Sequence, residues 1–266
     1  NGNGSPEIFV TGLNAQRSRV KSFVLEWNGG DYAKIVKDSP WYYRVIRHPG
    51  QVLLLGQKNT SDDPFSGKIF EMTWQNSDYL PGKQAISSKR NNLMGLTLGD
   101  VMNTGKMTAV AYDKSDHIRL IDPTNGVMWK GGEKYGGSMR YSLMPKLERG
   151  AENRCYLPMR LIIEDIDSDG KTEVIAVRNY DIAEKFLKMF RKFTKTHIES
   201  LFWDGIGLAV NWKTPEIAGH ISDFAVGDFD NDGMNELIAA VILKDGDIIG
   251  SSPQSMVIAY EIRGKF

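Results

Sequence analysis

The 266-residue chain contains a single cysteine, Cys155, and only four histidines. One cysteine excludes an internal disulfide and a cysteine-based zinc cluster, and we interpret it as a small apolar core residue. An excess of either charge is also lacking, because 33 basic side chains balance 33 acidic ones. A broad basic surface for nucleic acid is therefore not expected. The apolar runs fall well short of the about 20 residues of a membrane-spanning helix, so no transmembrane segment is expected.

Local catalytic signatures are missing as well. The histidines form no His-Glu-x-x-His pair, and the chain has no Gly-x-Ser-x-Gly nucleophile turn. The glycine-rich stretch 131–137 lacks the following helix that a phosphate-binding loop requires. We therefore expect no enzyme, no catalytic residue and no organic cofactor. Pairs of catalytic carboxylates need no local motif, which leaves an acid–base enzyme as an open alternative.

Two nearly identical acidic loops are the most specific feature that is present. The first reads Asp-Ile-Asp-Ser-Asp-Gly-Lys-Thr-Glu over 165–173, and the second reads Asp-Phe-Asp-Asn-Asp-Gly-Met-Asn-Glu over 228–236. Carboxylates at positions 1, 3, 5 and 9 repel one another unless a cation lies among them, and a set of oxygen ligands in flexible geometry suits Ca²⁺ better than Mg²⁺. An EF-hand would need a glutamate at position 12, where this chain has Ala176 and Ala239. Apolar strand patterns follow both loops, which predicts a strand–metal loop–strand unit.

Each loop predicts one ion site, with glycine at position 6 adopting the positive φ that wraps the chain around the ion. A solvated acidic turn without an ion is the alternative. The predicted ligands are the side chains of Asp165, Asp167, Asp169 and Glu173 with the carbonyl of Lys171, and the side chains of Asp228, Asp230, Asp232 and Glu236 with the carbonyl of Met234.

Weaker copies of the loop occur earlier in the chain. Asn1, Asn3 and Glu7 match part of a third site, so we expect a processed or partial chain whose first ligand position and preceding strand are missing. The turn at Gly105 keeps only Asp100 of the carboxylates, and the turn at Gly50 keeps none. Five turns spaced roughly 45–65 residues apart predict a repeat architecture.

The segments between the turns predict hairpins, as at Trp27-Asn-Gly and Trp203-Asp-Gly. A strand before the turn, a strand after it and a hairpin make a four-stranded propeller blade. We predict an all-β, single-domain β-propeller with about five visible blades, or six or seven if the chain is a fragment. The predicted blades span about 1–42, 43–92, 93–158, 159–220 and 221–266.

The acidic loops, their flanking strands and the repeat length resemble the FG-GAP/VCBS family, whose calcium-binding blades form the integrin α-subunit propeller and many secreted bacterial propellers. The resemblance is strong for 165–173 and 228–236 and weak for the three earlier turns. It implies a β-propeller outside the cytoplasm, in the periplasm, at the cell surface or secreted, in which calcium stabilises the blade loops.

These features favour a binding or adhesion scaffold within a larger secreted or cell-surface protein, with a protein or glycan partner on its blade loops. A carbohydrate-binding, lectin-like module is the alternative, because we expect Trp129, Tyr135, Tyr141 and Trp212 to be exposed and they could stack on sugar rings. A polysaccharide-acting enzyme on the same scaffold is a further alternative. Structural anchoring is the competing interpretation of such aromatics.

Overall fold

The structure is a computed structural model that describes residues 1–48, 51–59, 64–65, 67–87, 91–144, 153–182, 191–244 and 252–262. Strands dominate these residues, and the single short helix among them is the 3₁₀ turn Leu93–Gly95. Within this part of the chain, no helix combines the length and the apolar content that crossing a membrane requires.

Among the described residues, five antiparallel sheets of three or more strands follow one another along the chain, and we label them A to E. Sheet A contains β1 (Glu7–Val10), β2 (Ser22–Trp27) and β3 (Tyr32–Ser39), and sheet B contains β4 (Tyr42–His48), β5 (Gln51–Gln57), β6 (Ile69–Gln75) and β7 (Asp78–Ile86). Sheet C contains β8 (Leu96–Gly99), β9 (Thr108–Tyr112), β10 (His117–Asp122) and β11 (Gly126–Lys134).

A two-stranded ribbon of β12 (Tyr141–Met144) and β13 (Asn153–Tyr156) separates sheet C from sheet D. Sheet D contains β14 (Ile162–Glu164), β15 (Glu173–Asp181), β16 (Phe193–Trp203), β17 (Leu208–Lys213) and the short β18 (Ile217–Ala218), which pairs with β16. Sheet E contains β19 (His220–Gly227), β20 (Glu236–Lys244) and β21 (Gln254–Glu261).

Tight turns with locally satisfied backbone groups explain the hairpins. After Trp27, the Asn28 side chain accepts hydrogen bonds from the amides of Gly30 (3.1 Å) and Asp31 (2.9 Å). After Trp203, the Asp204 side chain accepts them from Ile206 and Gly207, both at 2.8 Å. Side-chain acceptors of this kind favour a turn over continued extension. The hairpins predicted at both positions are therefore present, as β2–β3 and β16–β17.

Contacts divide the chain into two compact units. Unit 1 comprises Asn1–Met94, Ile121–Met128 and Ser142–Cys155, and unit 2 comprises Gly95–Leu120, Trp129–Tyr141 and Tyr156–Phe266. The core of unit 1 joins sheets A and B through Val24, Val36, Tyr43, Met72 and Tyr79. Aromatic rings are prominent in it, with Phe9 in edge contact with both Tyr43 and Tyr79.

The core of unit 2 is larger and more aliphatic. Its most deeply buried side chains come from successive sheets, among them Val110 in β9, Ile175 and Val177 in β15, Ile198 in β16 and Leu237 in β20. Burial of each such side chain contributes about 1.5–3 kcal/mol. The strands that follow both acidic loops, β15 and β20, therefore lie in the best-packed part of this unit, and they give those loops a rigid support.

The predicted fold class is confirmed. The protein is all-β, and its five small antiparallel sheets are arranged as a five-bladed β-propeller. Sheets A and E have three strands each rather than four among the described residues.

Candidate metal centre

The first acidic loop joins β14 to β15 in sheet D. Glu164 and Glu173 are opposite one another in the register of these two strands, so the loop closes at a fixed pair of residues. The second acidic loop joins β19 to β20 in sheet E, where Gly227 is opposite Glu236. In both cases the final glutamate begins the second strand and is buried, at 2% and 3% exposure. Position 9 therefore points a carboxylate towards the inside of its loop.

Four of the turns share an unusual backbone conformation. Position 4 and position 6 of each turn both have positive φ, between 54° and 91°. The residues are Gly2 and Gly4, Asn103 and Gly105, Ser168 and Gly170, and Asn231 and Gly233. Glycine tolerates this region freely, and asparagine does so better than most residues. The alignment of the four turns that was drawn from the sequence therefore matches their geometry.

Three carboxylates converge in the first acidic loop. Asp165, Asp167 and Glu173 each present an oxygen within 4.8 Å of the others. The Glu173 carboxylate also accepts a hydrogen bond from the Ile166 amide at 3.2 Å, and Asp165 accepts one from Gly170 at 3.0 Å. These bonds hold the oxygens at the centre of the loop. Such a set of hard anionic oxygens is the donor set that Ca²⁺ prefers.

Two electrostatic features show that this cluster fits a cation. The Oδ1 atom of Asp165 is buried and has no hydrogen-bond partner among the described residues, which is costly for a carboxylate oxygen unless another group compensates it. Burial, followed by repulsion from Asp167, Asp169 and Asp165, raises the pKa of Glu173 to about 7. A divalent ion at the centre of the loop would compensate both the orphaned oxygen and the repulsion.

The second acidic loop repeats this arrangement. Asp228, Asp230 and Glu236 present oxygens within 4.8 Å of one another. The Asp228 carboxylate accepts hydrogen bonds from the amides of Asp232 and Gly233, each at 3.1 Å, and Glu236 accepts one from Phe229 at 2.7 Å. The loop is more open than the first, because both aspartates of the cluster are exposed. Two acidic triads, one per loop, could therefore hold metal ions.

The remaining predicted ligands have other contacts. Asp169 and Asp232 lie outside the converging triads, and each accepts a hydrogen bond at 2.8 Å from the amide two residues further on. Those amides belong to Lys171 and Met234, whose carbonyls were predicted to contribute. Coordination by these side chains and carbonyls stays a prediction. All ten predicted residues belong to two loops with the same backbone path.

The two weaker copies that lie within the described residues, at Gly4 and Gly105, keep the turn without converging carboxylates. Asp100 accepts hydrogen bonds from Thr104 (2.9 Å) and Gly105 (2.6 Å), as Asp228 does from the equivalent amides of its own loop. In the first turn, Asn1 and Asn3 accept backbone hydrogen bonds at 3.0 and 2.9 Å, while Glu7 contacts the α-amino group at 2.7 Å. The turn predicted at Gly50 lies outside the described residues.

The structure also shows a neighbour that the sequence motif did not indicate. Thr172, in the first acidic loop, donates its hydroxyl hydrogen to the Asp100 carbonyl at 2.6 Å, and its amide donates to the Asn103 side chain at 2.8 Å. The eroded turn of sheet C thus supports the intact loop of sheet D. The sequence contains little indication of this contact. Asn103 stands at position 4 of its turn, a left-handed position in all four turns, and nothing in the alignment marks Thr172 as its partner.

The four aromatic residues considered for sugar stacking differ in exposure. Tyr141 is exposed at 41%, whereas Tyr135 is buried at 9%. Trp129 and Trp212 are half-buried and pack against the core of unit 2. The expected exposure is therefore wrong for Tyr135, whose hydroxyl group is directed to a buried partner.

Comparison of the chain with protein-family models and with the sequences of curated proteins finds no match. The fold and the two triads consequently rest on the chain's own residues, and together they establish a β-propeller scaffold with two acidic groups that could bind metal ions.

Proposed function

We propose that the protein is a calcium-stabilised binding scaffold of the FG-GAP/VCBS type that works outside the cytoplasm as part of a larger secreted or cell-surface protein. The observation that carries this proposal is the pair of matching acidic triads on one repeated backbone path. Matching loops in successive sheets agree with a structural metal, because every site then stabilises the same element of the repeat.

A structural role agrees with the position of the sites. Each triad ties the start of a deeply buried strand to the end of the preceding one, so an ion bound there would stabilise the pairing of β14 with β15 and of β19 with β20. By mass action, an ion at 100 times its dissociation constant stabilises a folded protein by about 2.7 kcal/mol. Adhesion and protein binding would then be carried out by other surfaces of the scaffold.

Calcium titration with thermal melts tests the metal assignment. We expect the Tm to rise with calcium and to fall when a chelator removes it, with a smaller response to magnesium. The double variant Asp167→Ala/Asp230→Ala should lose the calcium response. Asp31→Ala, a change of the same kind on the β2–β3 hairpin, should keep it. A wild-type Tm that does not respond to calcium would contradict the assignment.

The same titration tests the compartment. Calcium modules of the extracellular type bind with dissociation constants of about 10⁻⁴–10⁻³ M, whereas cytosolic sensors bind at about 10⁻⁷–10⁻⁵ M. We expect a half-maximal Tm shift in the first range. Half-saturation below micromolar calcium would contradict the proposed location, even if the sites themselves were confirmed.

A further inference from the structure

A cavity of about 700 Å³ opens in unit 2, away from both acidic loops. Its wall combines the turn between β9 and β10, the end of β11, the segment that follows β11, and the end of β15. The volume lies inside the about 300–1,000 Å³ that is typical of small-molecule sites. None of the ten predicted metal ligands lines it.

A buried carboxylate holds part of this wall in place. Glu199, 3% exposed, accepts a hydrogen bond from the Tyr135 hydroxyl at 2.6 Å and lies 2.6 Å from Nε2 of His197. Burial opposes its ionisation, but the hydrogen bonds from His197 and Tyr135 keep the pKa of Glu199 below its ordinary value. The charged carboxylate also lies 3.6 Å from the Arg178 guanidinium. The Glu199 carboxylate therefore holds two wall residues, Tyr135 and Arg178, on the side that faces the protein interior.

Planar groups lie together on the wall. The guanidinium carbon of Arg178 is 5.2 Å from the centre of the Tyr180 ring and 5.5 Å from that of Tyr135. Tyr180 is half-buried and also contacts the ammonium group of Lys195 at 4.4 Å. The His197 ring contacts the Tyr180 ring as well, with ring centres 5.6 Å apart. The part of the Tyr180 ring that stays exposed in the cavity offers apolar surface beside the several hydrogen-bond donors of one guanidinium plane.

The charges of the wall compensate one another. Arg178 pairs with Glu133, and Arg191 pairs with Asp116 at 3.0 Å. The described part of the wall carries four basic side chains (Lys114, Lys134, Arg178 and Arg191) and three acidic ones (Asp116, Glu133 and Asp181), and the buried Glu199 carboxylate behind Arg178 balances the remaining charge. A polyanion such as a nucleotide would need a clear excess of cationic groups. A purely apolar ligand would leave these charged groups without water, which is costly. The wall instead suits a ligand that is neutral overall and carries many hydroxyl groups.

We propose that this cavity binds a short neutral saccharide, with Tyr180 under the C–H face of a sugar ring and the Arg178–Glu133 pair on its hydroxyl groups. A hydroxyl group both donates and accepts hydrogen bonds, so neighbouring hydroxyls can accept from the guanidinium and donate to the Glu133 carboxylate, which is 67% exposed. Glu199 acts as a positioning residue. The inference rests on the proposed function only in that it gives the scaffold a ligand.

A glycan array screened with the full chain in calcium identifies the saccharide, and calorimetric titration with the bound glycan measures its affinity. We expect neutral glycans among the hits. Tyr180→Ala removes the ring, and Glu133→Gln removes the negative charge and replaces one acceptor oxygen by an NH₂ donor, at an exposed position where folding is not at risk. Each should weaken binding at least tenfold. Tyr32→Ala is the control, because this tyrosine is exposed, at 42%, and does not line the cavity.

Calcium-dependent melts of the same samples separate this inference from the proposed function. A protein that shows the calcium shift but binds no neutral glycan overturns the inference and leaves the scaffold intact. Binding restricted to sulfated or sialylated glycans overturns it too, as does full affinity in Tyr180→Ala and Glu133→Gln. Tenfold loss in both variants, with unchanged melts and unchanged affinity in Tyr32→Ala, supports it.

Discussion

The glutamate that ends the first acidic loop should make the calcium-free protein less stable at alkaline pH. The pKa of the Glu173 carboxyl rises from 4.5 to about 7 in the folded, ion-free protein, first through burial and then through the neighbouring aspartates. The folded state therefore holds more protons than the unfolded state between these two pH values. Its free energy of unfolding must fall as the pH rises through this window.

The size of the effect follows from the same shift. One pKa unit corresponds to 1.36 kcal/mol, so a rise from 4.5 to about 7 corresponds to about 3 kcal/mol lost by pH 8. Replacing the carboxyl by an amide removes this titration. We therefore expect Glu173→Gln in the presence of chelator to be more stable than wild type at pH 8, by up to about 3 kcal/mol. At pH 5 the two proteins should differ little.

Urea unfolding followed by tryptophan fluorescence measures these free energies, with and without calcium. Calcium favours the ionised carboxylate, so the difference between the calcium-bound and chelated wild-type protein should be larger at pH 8 than at pH 5. Glu216→Gln, at a half-exposed side chain that pairs with Lys195, is the matched control and should keep the wild-type profile. The reasoning would be refuted if the difference in unfolding free energy between Glu173→Gln and wild type, both in chelator, were the same at pH 8 as at pH 5.

Three further substitutions are tested by the same urea unfolding measurements. They lie just before β19, in the buried network behind the cavity, and at the contact between the first acidic loop and the turn of sheet C. Gly219→Ala should cost more than about 3 kcal/mol, because a Cβ there would lie 2.1 Å from the Ile242 carbonyl oxygen at a φ of +99°. Glu199→Gln should cost about 3 kcal/mol, since it removes the charge that His197 and Arg178 contact in a buried network. Thr172→Val should cost about 1 kcal/mol and should also weaken calcium binding, because it breaks the bond to the turn of sheet C.

Each of these has a control on the chain. Gly30→Ala adds a Cβ where nothing lies within 4 Å, and it should change the stability by less than about 1 kcal/mol. Thr172→Ser keeps the hydroxyl group and should retain calcium affinity, so an equal loss in Thr172→Ser and Thr172→Val would contradict the hydrogen-bond explanation. Glu216→Gln again serves as the surface control for Glu199→Gln, and equal effects of these two would contradict a buried network.

The fold could be predicted from the sequence because the residues that specify each loop and hairpin are close together in the chain. An acidic loop between two apolar strands and a hairpin after Trp27 or Trp203 each depend on residues that are close in the chain. Repetition of such units then predicts the propeller without any long-range contact. The converging triads were predicted for the same reason, since positions 1, 3 and 9 lie within one turn.

The cavity could not be predicted, because its parts are far apart in the chain. Tyr135, Arg178 and Glu199 come from three segments, and nothing in their local sequence marks them as partners. Tyr135 was considered only as an exposed ring, whereas the Glu199 carboxylate draws its hydroxyl group into the interior. The sequence shows a glutamate two residues after a histidine. Whether that carboxylate is buried, and which groups it contacts, depends on the strands and segments that pack against it.

The turn of sheet C that lacks the carboxylate set separates the shape of the loop from the contribution proposed for an ion. Asn103 and Gly105 adopt the same left-handed conformations as Asn231 and Gly233, although Met102 and Thr104 occupy positions 3 and 5 of this turn. The amides that close the turn bind Asp100 directly. Such a turn therefore forms without a metal ion, and under the proposed function calcium acts where three carboxylates converge and repel one another. Removing calcium should lower the unfolding free energy while leaving the far-ultraviolet circular dichroism of the folded protein unchanged, and a large loss of strand signal on chelation would contradict this view.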